Sequence, residues 1–520
     1  MASWDELRAD LQMRLARARA MGGPERIARE HGRGKSTARE RIDLMLDPGS
    51  FDEWGALAHH QESSRDMVHR STPADGMVCG MGRIDGRPVC VAADDATVMG
   101  GSRGLVAEVK QSHLRNTAVK IGAPFIWLQE ASGGRIQELM GASFVARTFS
   151  TNFSDQILHM SGWIPQVSGL LGACFGQPAF VSGLADFVPM SADASVGASG
   201  PPVVAAAIGQ KVTEQELGGP ANAMAIGLAD GVYANDKAVM GAIRDYLSFF
   251  PSNSGSLSPS VQSADSVDRQ CPELEKIVPT NLRQPYDMRR VIDSIVDRDC
   301  AFFEIGAGCG PQLLAGYARM GGMPVGILAN QPKVQAGVIS PSAGKKAARF
   351  VQVCDAYHIP VIFLSDTPGF MVGTKAESEG LAIAAGRILA AILEATVPTL
   401  TVLVRKSYGL GHFAMNGPCM GPDTVLAWPT ASVSQMGPEP AVDVIFGKQI
   451  REAADPDRRR AELVEEFQRE IVQPYKAAGT AAVDDVIDPR DTREMLCRRL
   501  MALAGASGRE VRFKRRLPAR

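Results

Sequence analysis

Short apolar, β-branched runs in segments 76–97 and 120–130 alternate with stretches of helical periodicity, which predicts an α/β layered architecture. Upstream, residues 3–30 carry alternating charges at helical spacing and predict one helix. Residues 31–50, HGRGKSTARERIDLMLDPGS, predict a basic entry to a second, short helix that stops at Asp47-Pro48-Gly49. The pattern lapses at 251–267, PSNSGSLSPSVQSADSV, a polar Ser/Pro-rich stretch that reads as a linker.

The two sides of that linker resemble each other. Pro124-Phe-Ile-Trp-Leu leads into a turn at Glu130-Ala-Ser-Gly-Gly134, and Pro360-Val-Ile-Phe-Leu leads into Asp366-Thr-Pro-Gly-Phe370. Ile164-Pro165 and Val397-Pro398 each open an apolar, Gly-containing strand, and SADASVGASGPPVV (191–204) answers WPTASVSQMGPEPAV (428–442). The steps from Pro124 to Pro360, from Pro165 to Pro398 and from Ser195 to Ser432 are nearly equal in length. Three matches in one order at nearly constant separation predict a duplicated domain, since a period this long implies two whole domains and not a solenoid.

Composition narrows the function classes. A net charge of -2 on 520 residues supplies no long-range field for nucleic acid or an anionic membrane. The nine cysteines form no C-x-x-C pair, which argues against a zinc site or a disulfide framework and for buried free thiols. The N-terminus lacks an apolar signal core, and its acidic residues are foreign to a transit peptide. No long uninterrupted apolar run predicts a membrane span, so a cytoplasmic location is expected.

The candidate chemistry lies in glycine-rich turns that follow buried strands. Ser132-Gly133-Gly134 precedes RIQELMGASFVARTF (135–149), which has helical periodicity, and RKSYGLGHFAMNG (405–417) centres a comparable turn on Tyr408, Gly409, Leu410 and Gly411. Backbone N–H groups at a helix start lack intrahelical partners, and glycine lets a carbonyl oxygen approach them. Such a turn can hold an oxyanion. Other motifs carry less: GRGKS (32–36) has Arg29 where a phosphate loop needs glycine, and GAGCG (306–310) is too short for a dinucleotide fingerprint. The basic C-terminal tail and Lys345-Lys346 read as solvated surface, His412 as a packed side chain, and Asp366 as a cap or loop brace.

The segments GRGKSTARERIDLMLDPGSFDE (32–53), SGGRIQE (132–138), QKVTEQELGG (210–219), QPYDMRRVID (284–293), NQPKVQAGVIS (330–340), DTPGFMVGTKAE (366–377) and VDDVIDPRDTR (483–493) resemble the β (carboxyltransferase) subunits of propionyl-CoA and methylcrotonyl-CoA carboxylases. The resemblance implies an α/β fold of two tandem crotonase-like domains (ββα superhelices) related by internal duplication. Residues 1–260 would form the acyl-CoA side, with a helical N-terminal extension, and residues 261–520 the biotin side. It implies that Gly133 and Gly134, or Ser132 and Gly133, polarise the acyl-CoA carbonyl, and that Leu410 and Gly411 do the same for biotin. Ser132, Arg135, Tyr408, Gly409 and Phe413 would contact substrate, and Gly369 and Phe370 the cofactor. Two departures stand out. The family usually reads Asp-Ser-Gly-Gly-Ala-Arg where this chain has Ala131-Ser132-Gly133-Gly134-Arg135, and Phe413 occupies a position linked in the family to acyl-chain choice.

The implied activity is transfer of CO2 from carboxybiotin to the α (or vinylogous γ) carbon of an acyl-CoA. That reaction needs two oxyanion sites, because charge develops on the thioester oxygen and on the biotin ureido oxygen, and each preorganised donor is worth roughly 3–4 kcal/mol. The chain contains no Met-Lys-Met biotin attachment sequence and no ATP-dependent ligase pattern, so the expected partner is an α subunit with biotin carboxylase and biotin carrier parts. The family also implies a hexameric homo-oligomer and no tightly bound metal. Alternatives are a biotin-dependent decarboxylase subunit, and a biotin-independent crotonase-type hydratase or hydrolase using Glu130 or Glu138 near the first turn.

Overall fold

The computed structural model describes residues 2–61, 66–139, 153–504 and 512–520. It divides into two compact units, one formed by Met1–Ser256 with Arg512–Arg520 and the other by Leu257–Val511. The boundary falls inside the Ser/Pro-rich stretch, but the last nine residues return to the first unit.

In the first unit the strands are β1 Asp52–Trp54, β2 Met77–Ile84, β3 Arg87–Asp94, β4 Phe125–Ala131, β5 Gln166–Phe175, β6 Pro189–Ser191, β7 Ser195–Gly197 and β8 Gly231–Tyr233. They form one sheet in the order β1-β2-β3-β4-β5-β6-β8, with β7 paired to β5; β1 to β3 are antiparallel and the rest parallel. The second unit holds β9 Phe303–Ile305, β10 Leu313–Met320, β11 Met323–Asn330, β12 Val361–Thr367, β13 Thr399–Tyr408, β14 Thr424–Ala427, β15 Ser432–Ser434 and β16 Asp485–Val486. Its sheet runs β16-β14-β13-β12-β11-β10-β9, with β15 paired to β13 and the same mixture of directions.

The duplication is legible in the registers. Ala131 pairs with Cys174 in the first sheet, and Thr367 pairs with Ser407 in the second. The step from Ala131 to Thr367 equals the step from Pro124 to Pro360, and the step from Cys174 to Ser407 equals that from Pro165 to Pro398. Cys174 also pairs with Val196, and Ser407 with Val433, which are as far apart as Ser195 and Ser432. The three spacings found in the sequence are thus the spacings of three equivalent strands. The central strands β4 and β12 are buried at every position, as parallel strands covered on both faces must be, hence their unbroken apolar runs.

The N-terminal expectation needs correcting. Residues 3–30 form two helices, Trp4–Arg19 and Pro24–His31. The break comes at Gly22, where a Cβ would stand 2.1 Å from the Thr97 carbonyl oxygen, and at Gly23, with φ +89° before the proline. The short helix that follows, Ala38–Met45, starts from a capping box between Thr37 and Glu40. Arg512 and Arg516 of the basic tail are exposed, but the residues beyond it are docked. Leu517 donates its N–H to Ser161 Oγ at 2.8 Å, and the Arg520 guanidinium reaches Asp230 and the Asp186 carbonyl. No helix among the described residues is long and apolar enough to cross a membrane, and all nine cysteines are free, with Cys300 half-buried and Cys419 exposed.

Candidate active site

In each unit two adjacent parallel strands end side by side, and the turns that leave them pack together. In the first unit these are the turn after β4 (residues 132–135) and the turn after β5 (176–178), which starts the helix Gln177–Leu184. A Cβ on Gly176 would lie 4.0 Å from Gly133 Cα, and one on Gly133 would lie 3.5 Å from the Phe175 carbonyl oxygen. In the second unit the equivalents are the turn after β12 (368–371) and the turn after β13, which starts the short helix Gly409–Ala414. There a Cβ on Gly369 would lie 3.7 Å from the Tyr408 carbonyl oxygen. By position, therefore, Gly133 matches Gly369 and Gly176 matches Gly409. The sequence reading pairs Ser132–Gly134 with Tyr408–Gly411, which the registers do not support. Carrying the step between Pro165 and Pro398 back from Gly409 and Leu410 leads to Gly176 and Gln177, the residues that reading misses.

The turn after β4 is held by its ends. The Arg103 N–H donates to the Gly133 carbonyl at 3.0 Å, the Arg135 N–H to the Arg103 carbonyl at 2.8 Å, and the Ser132 N–H to the Gly100 carbonyl at 3.4 Å. The N–H groups of Gly133 and Gly134 have no acceptor among the described residues. Gly133, at φ +108°, holds a conformation that side chains resist. Next to them, Gln177 opens its helix, where an N–H has no intrahelical partner. Gly176 donates to the Gly197 carbonyl, and Pro178 has no N–H to offer. The helix expected over 135–149 lies outside the described residues from position 140 onward, and residues 136–138 form a turn.

The second unit distributes its amides differently. The equivalent backbone bonds recur, Ile339 N–H to the Gly369 carbonyl at 3.0 Å and Met371 N–H to the Ile339 carbonyl at 2.9 Å. The Gly369 N–H, however, donates to Thr367 Oγ1 at 3.2 Å. The first unit has Ala131 in the place of Thr367 and no hydroxyl to do this. In the turn after β13, Leu410 and Gly411 sit in the first turn of their helix, and the side chain of Tyr408 does not cap them. Leu410 is exposed, and Gly411 is buried against the neighbouring turn, where a Cβ would meet Gly369 Cα at 2.7 Å.

Several expected contacts have other roles. Arg135 is turned inward, bonded to Asp75 at 2.6 Å, to Glu138 and to the Ser102 carbonyl, so its guanidinium braces the turn. Tyr408 is buried, its hydroxyl 2.8 Å from Ser432 Oγ, and burial pushes its pKa up to about 12. His412 lies with Nδ1 2.8 Å from Ser407 Oγ, and burial lowers its pKa, so it is neutral at pH 7. Phe413 is half-buried, edge-on to the His412 ring. Ser132 is exposed, Gly409 and Phe370 half-buried.

Carboxylates precede both strand-end turns and are fully engaged. Glu130 takes Lys35 at 2.7 Å and Arg41 at 2.6 Å; Asp366, its equivalent, takes Arg405 at 2.8 Å and the Lys406 ammonium at 3.4 Å. Glu138 accepts from Arg135 and from the Leu105 N–H. Neither glutamate is left as a free base beside the first turn, which removes the residues a hydratase reading would use. The same Lys35 belongs to the GRGKS motif, so that motif serves to brace β4. Nearby, Arg26, Arg29, Arg33 and Arg70 line a cavity of about 500 Å³ that also touches Gly100 and Glu130. Arg29 has no ion pair among the described residues.

Residues 29–517 match the model of the carboxyl transferase domain. The chain is 39% identical to the propionyl-CoA carboxylase carboxyltransferase subunit of Haloferax mediterranei, over 91% of this chain and 92% of that one. It is 37% identical to the methylmalonyl-CoA decarboxylase subunit alpha of Propionigenium modestum, over 94% of each. Among solved structures it is similar to the transcarboxylase 12S hexamer with methylmalonyl-coenzyme A and methylmalonic acid bound, with a TM-score of 0.92, 38% identity, and coverage of 100% of this chain and 99% of that one.

Proposed function

The chain belongs to the carboxyl transferase family and is a carboxyltransferase, and from that premise we propose that it moves CO2 from carboxybiotin, carried by another polypeptide, onto the α (or vinylogous γ) carbon of an acyl-CoA. The observation that carries this reading is the pattern of amides: Gly133 and Gly134 have no acceptor among the described residues, where Gly369, the structural match of Gly133, is satisfied by Thr367. An unpaired amide beside a positive-φ glycine is costly to keep unless something accepts from it. We assign that acceptor as the thioester oxygen, which becomes anionic when the α-proton leaves.

In the same reading, the N–H groups of Leu410 and Gly411 hold the ureido oxygen of biotin, with Gly369 and Phe370 packed behind them. Biotin supplies the carboxyl group, and its ureido nitrogen supplies the base. The protein holds two oxygens and needs no proton-transfer residue of its own, consistent with the engaged state of Glu130 and Glu138. Domain roles follow: the acyl-CoA side lies in the first unit and the biotin side in the second. The arginine-lined cavity beside the first turn supports a seat for the CoA phosphates. We further infer a homo-hexamer, a biotin carboxylase and carrier partner, no tightly bound metal and a cytoplasmic location. The likeness to a decarboxylase subunit favours one second reading, in which the same amides run CO2 from the acyl-CoA to biotin.

The test is decarboxylation of malonyl-CoA and methylmalonyl-CoA by the purified protein with free biotin. Release of CO2 that requires biotin supports the reading. Release without biotin, or none from any acyl-CoA in the panel, overturns it.

A further inference from the structure

Arg103 is buried at 5% exposure and touches both turns of the first unit. Its backbone closes the turn after β4, accepting from Arg135 and donating to Gly133. Its side chain forms a two-point pair with Asp94, Nε at 3.0 Å and Nη2 at 2.7 Å, and Nη2 also donates to Gln129 Oε1 at 3.0 Å. The remaining nitrogen, Nη1, donates to Gln177 Oε1 at 3.1 Å. Gln177 is the residue whose amide lies beside those of Gly133 and Gly134. Asp94 also accepts from the Glu130 N–H at 3.3 Å, so the carboxylate that orients Arg103 is itself tied to the end of β4.

The second unit lacks this device. Ile339 is the counterpart of Arg103 and repeats its backbone bonds, but it has no polar side chain, and Leu410 stands where Gln177 does. An arginine buried to join two turns costs desolvation, and the turns of the other unit meet at Gly411 and Gly369 without one. The asymmetry therefore asks for a role particular to the first unit.

We propose that Arg103 is a positioning residue for carboxyl transfer at the acyl-CoA: by gripping the Gln177 side chain while its backbone clamps Gly133, it holds the three amides of the two turns on one oxygen. This rests on the acyl-CoA reading of the first unit. Because the oxygen is neutral in the bound thioester and gains its charge only as the enolate forms, a loosened grip lowers kcat and leaves KM alone.

The experiment measures biotin-dependent methylmalonyl-CoA decarboxylation by the full protein. Gln177→Met removes the acceptor and keeps the chain length and the backbone amide. Its kcat falls about tenfold, as misplaced donors predict, with KM for the acyl-CoA within about twofold of the parent. Arg103→Lys keeps a cation for Asp94 but cannot also reach Gln177, so it reproduces the kcat loss, and the double variant Arg103→Lys/Gln177→Met is no worse than either alone. Should Gln177→Met fail to fold, Arg103→Lys alone reads the grip. Parent-like kcat in a folded Gln177→Met or Arg103→Lys overturns the proposal and leaves the acyl-CoA reading intact; so does a KM rise that matches the kcat loss. A parent protein without biotin-dependent turnover overturns both.

Discussion

The two units share a sheet order and strand registers, yet the glycines in their paired turns do different work. In the first unit Gly133 has room for a methyl group, with its nearest neighbour at 3.5 Å, and is required by its φ of +108°. In the second, Gly411 has an ordinary backbone conformation but no room, since a Cβ would stand 2.7 Å from Gly369 Cα. One glycine sets the direction of an amide, and the other lets two turns touch. The same contrast runs through their surroundings. The first unit joins its turns by the Arg103–Gln177 hydrogen bond and leaves the Gly133 amide open; the second joins them by contact and closes the Gly369 amide with Thr367. Duplication copied the scaffold, and the differences of single side chains decide which turn in each copy has donors to spare.

The comparison breaks first at Gly133. Gly133→Ala forces the turn from its positive φ and should lower kcat of biotin-dependent decarboxylation about 100-fold, the scale of a lost oxyanion donor, with a stability loss of only about 1 kcal/mol. Gly411→Ala should show the opposite balance. The added methyl separates the two turns and costs about 1–3 kcal/mol of stability, the range for overpacking, seen as a lower urea midpoint together with lost activity. Gly411→Val, which a purely catalytic view of this glycine would expect to fold normally, should be worse still.

A subtler change sharpens the contrast. Ala131→Ser places a hydroxyl where Thr367 has one and should let it accept from the Gly133 amide, lowering kcat about tenfold, in proportion to one competing hydrogen bond. Thr367→Val, which frees the Gly369 amide, should affect stability more than rate. The smallest effect belongs to His412. Its folded pKa lies below 6.5, so above pH 6.5 both folded and unfolded forms are neutral and the histidine costs nothing. As pH falls below 6.5 the unfolded chain takes the proton first, and stability declines until the folded pKa is reached. Urea midpoints of the parent should therefore fall more steeply between pH 7.5 and 5.5 than those of His412→Gln.

Much of this is readable in the chain. The steps from Pro124 to Pro360, Pro165 to Pro398 and Ser195 to Ser432 are the spacings of equivalent strands, because small insertions between β4 and β5, or β5 and β7, shift the count without disturbing the sheet. Apolar strands ending in glycine turns mark where the paired strand ends lie in each unit. What the sequence conceals depends on distance in the chain. The inward turn of Arg135 is decided by Asp75, 60 residues earlier, and the docking of Arg520 by Asp230, 290 residues away. The residues Ala131 and Thr367 are visible, but their meaning requires the hydrogen bond that only one of them makes. Gly22-Gly23-Pro24 is a helix break in plain view, masked because the charges on both sides continue the helical spacing.

The most direct measurement is a crystal structure of the protein with a non-reactive acyl-CoA analogue that keeps the carbonyl oxygen in place. The account predicts that this oxygen sits about 2.7–3.1 Å from the amide nitrogens of Gly133 or Gly134, with the Gln177 amide alongside. A carbonyl oxygen bound elsewhere, with those amides facing only water, would contradict it.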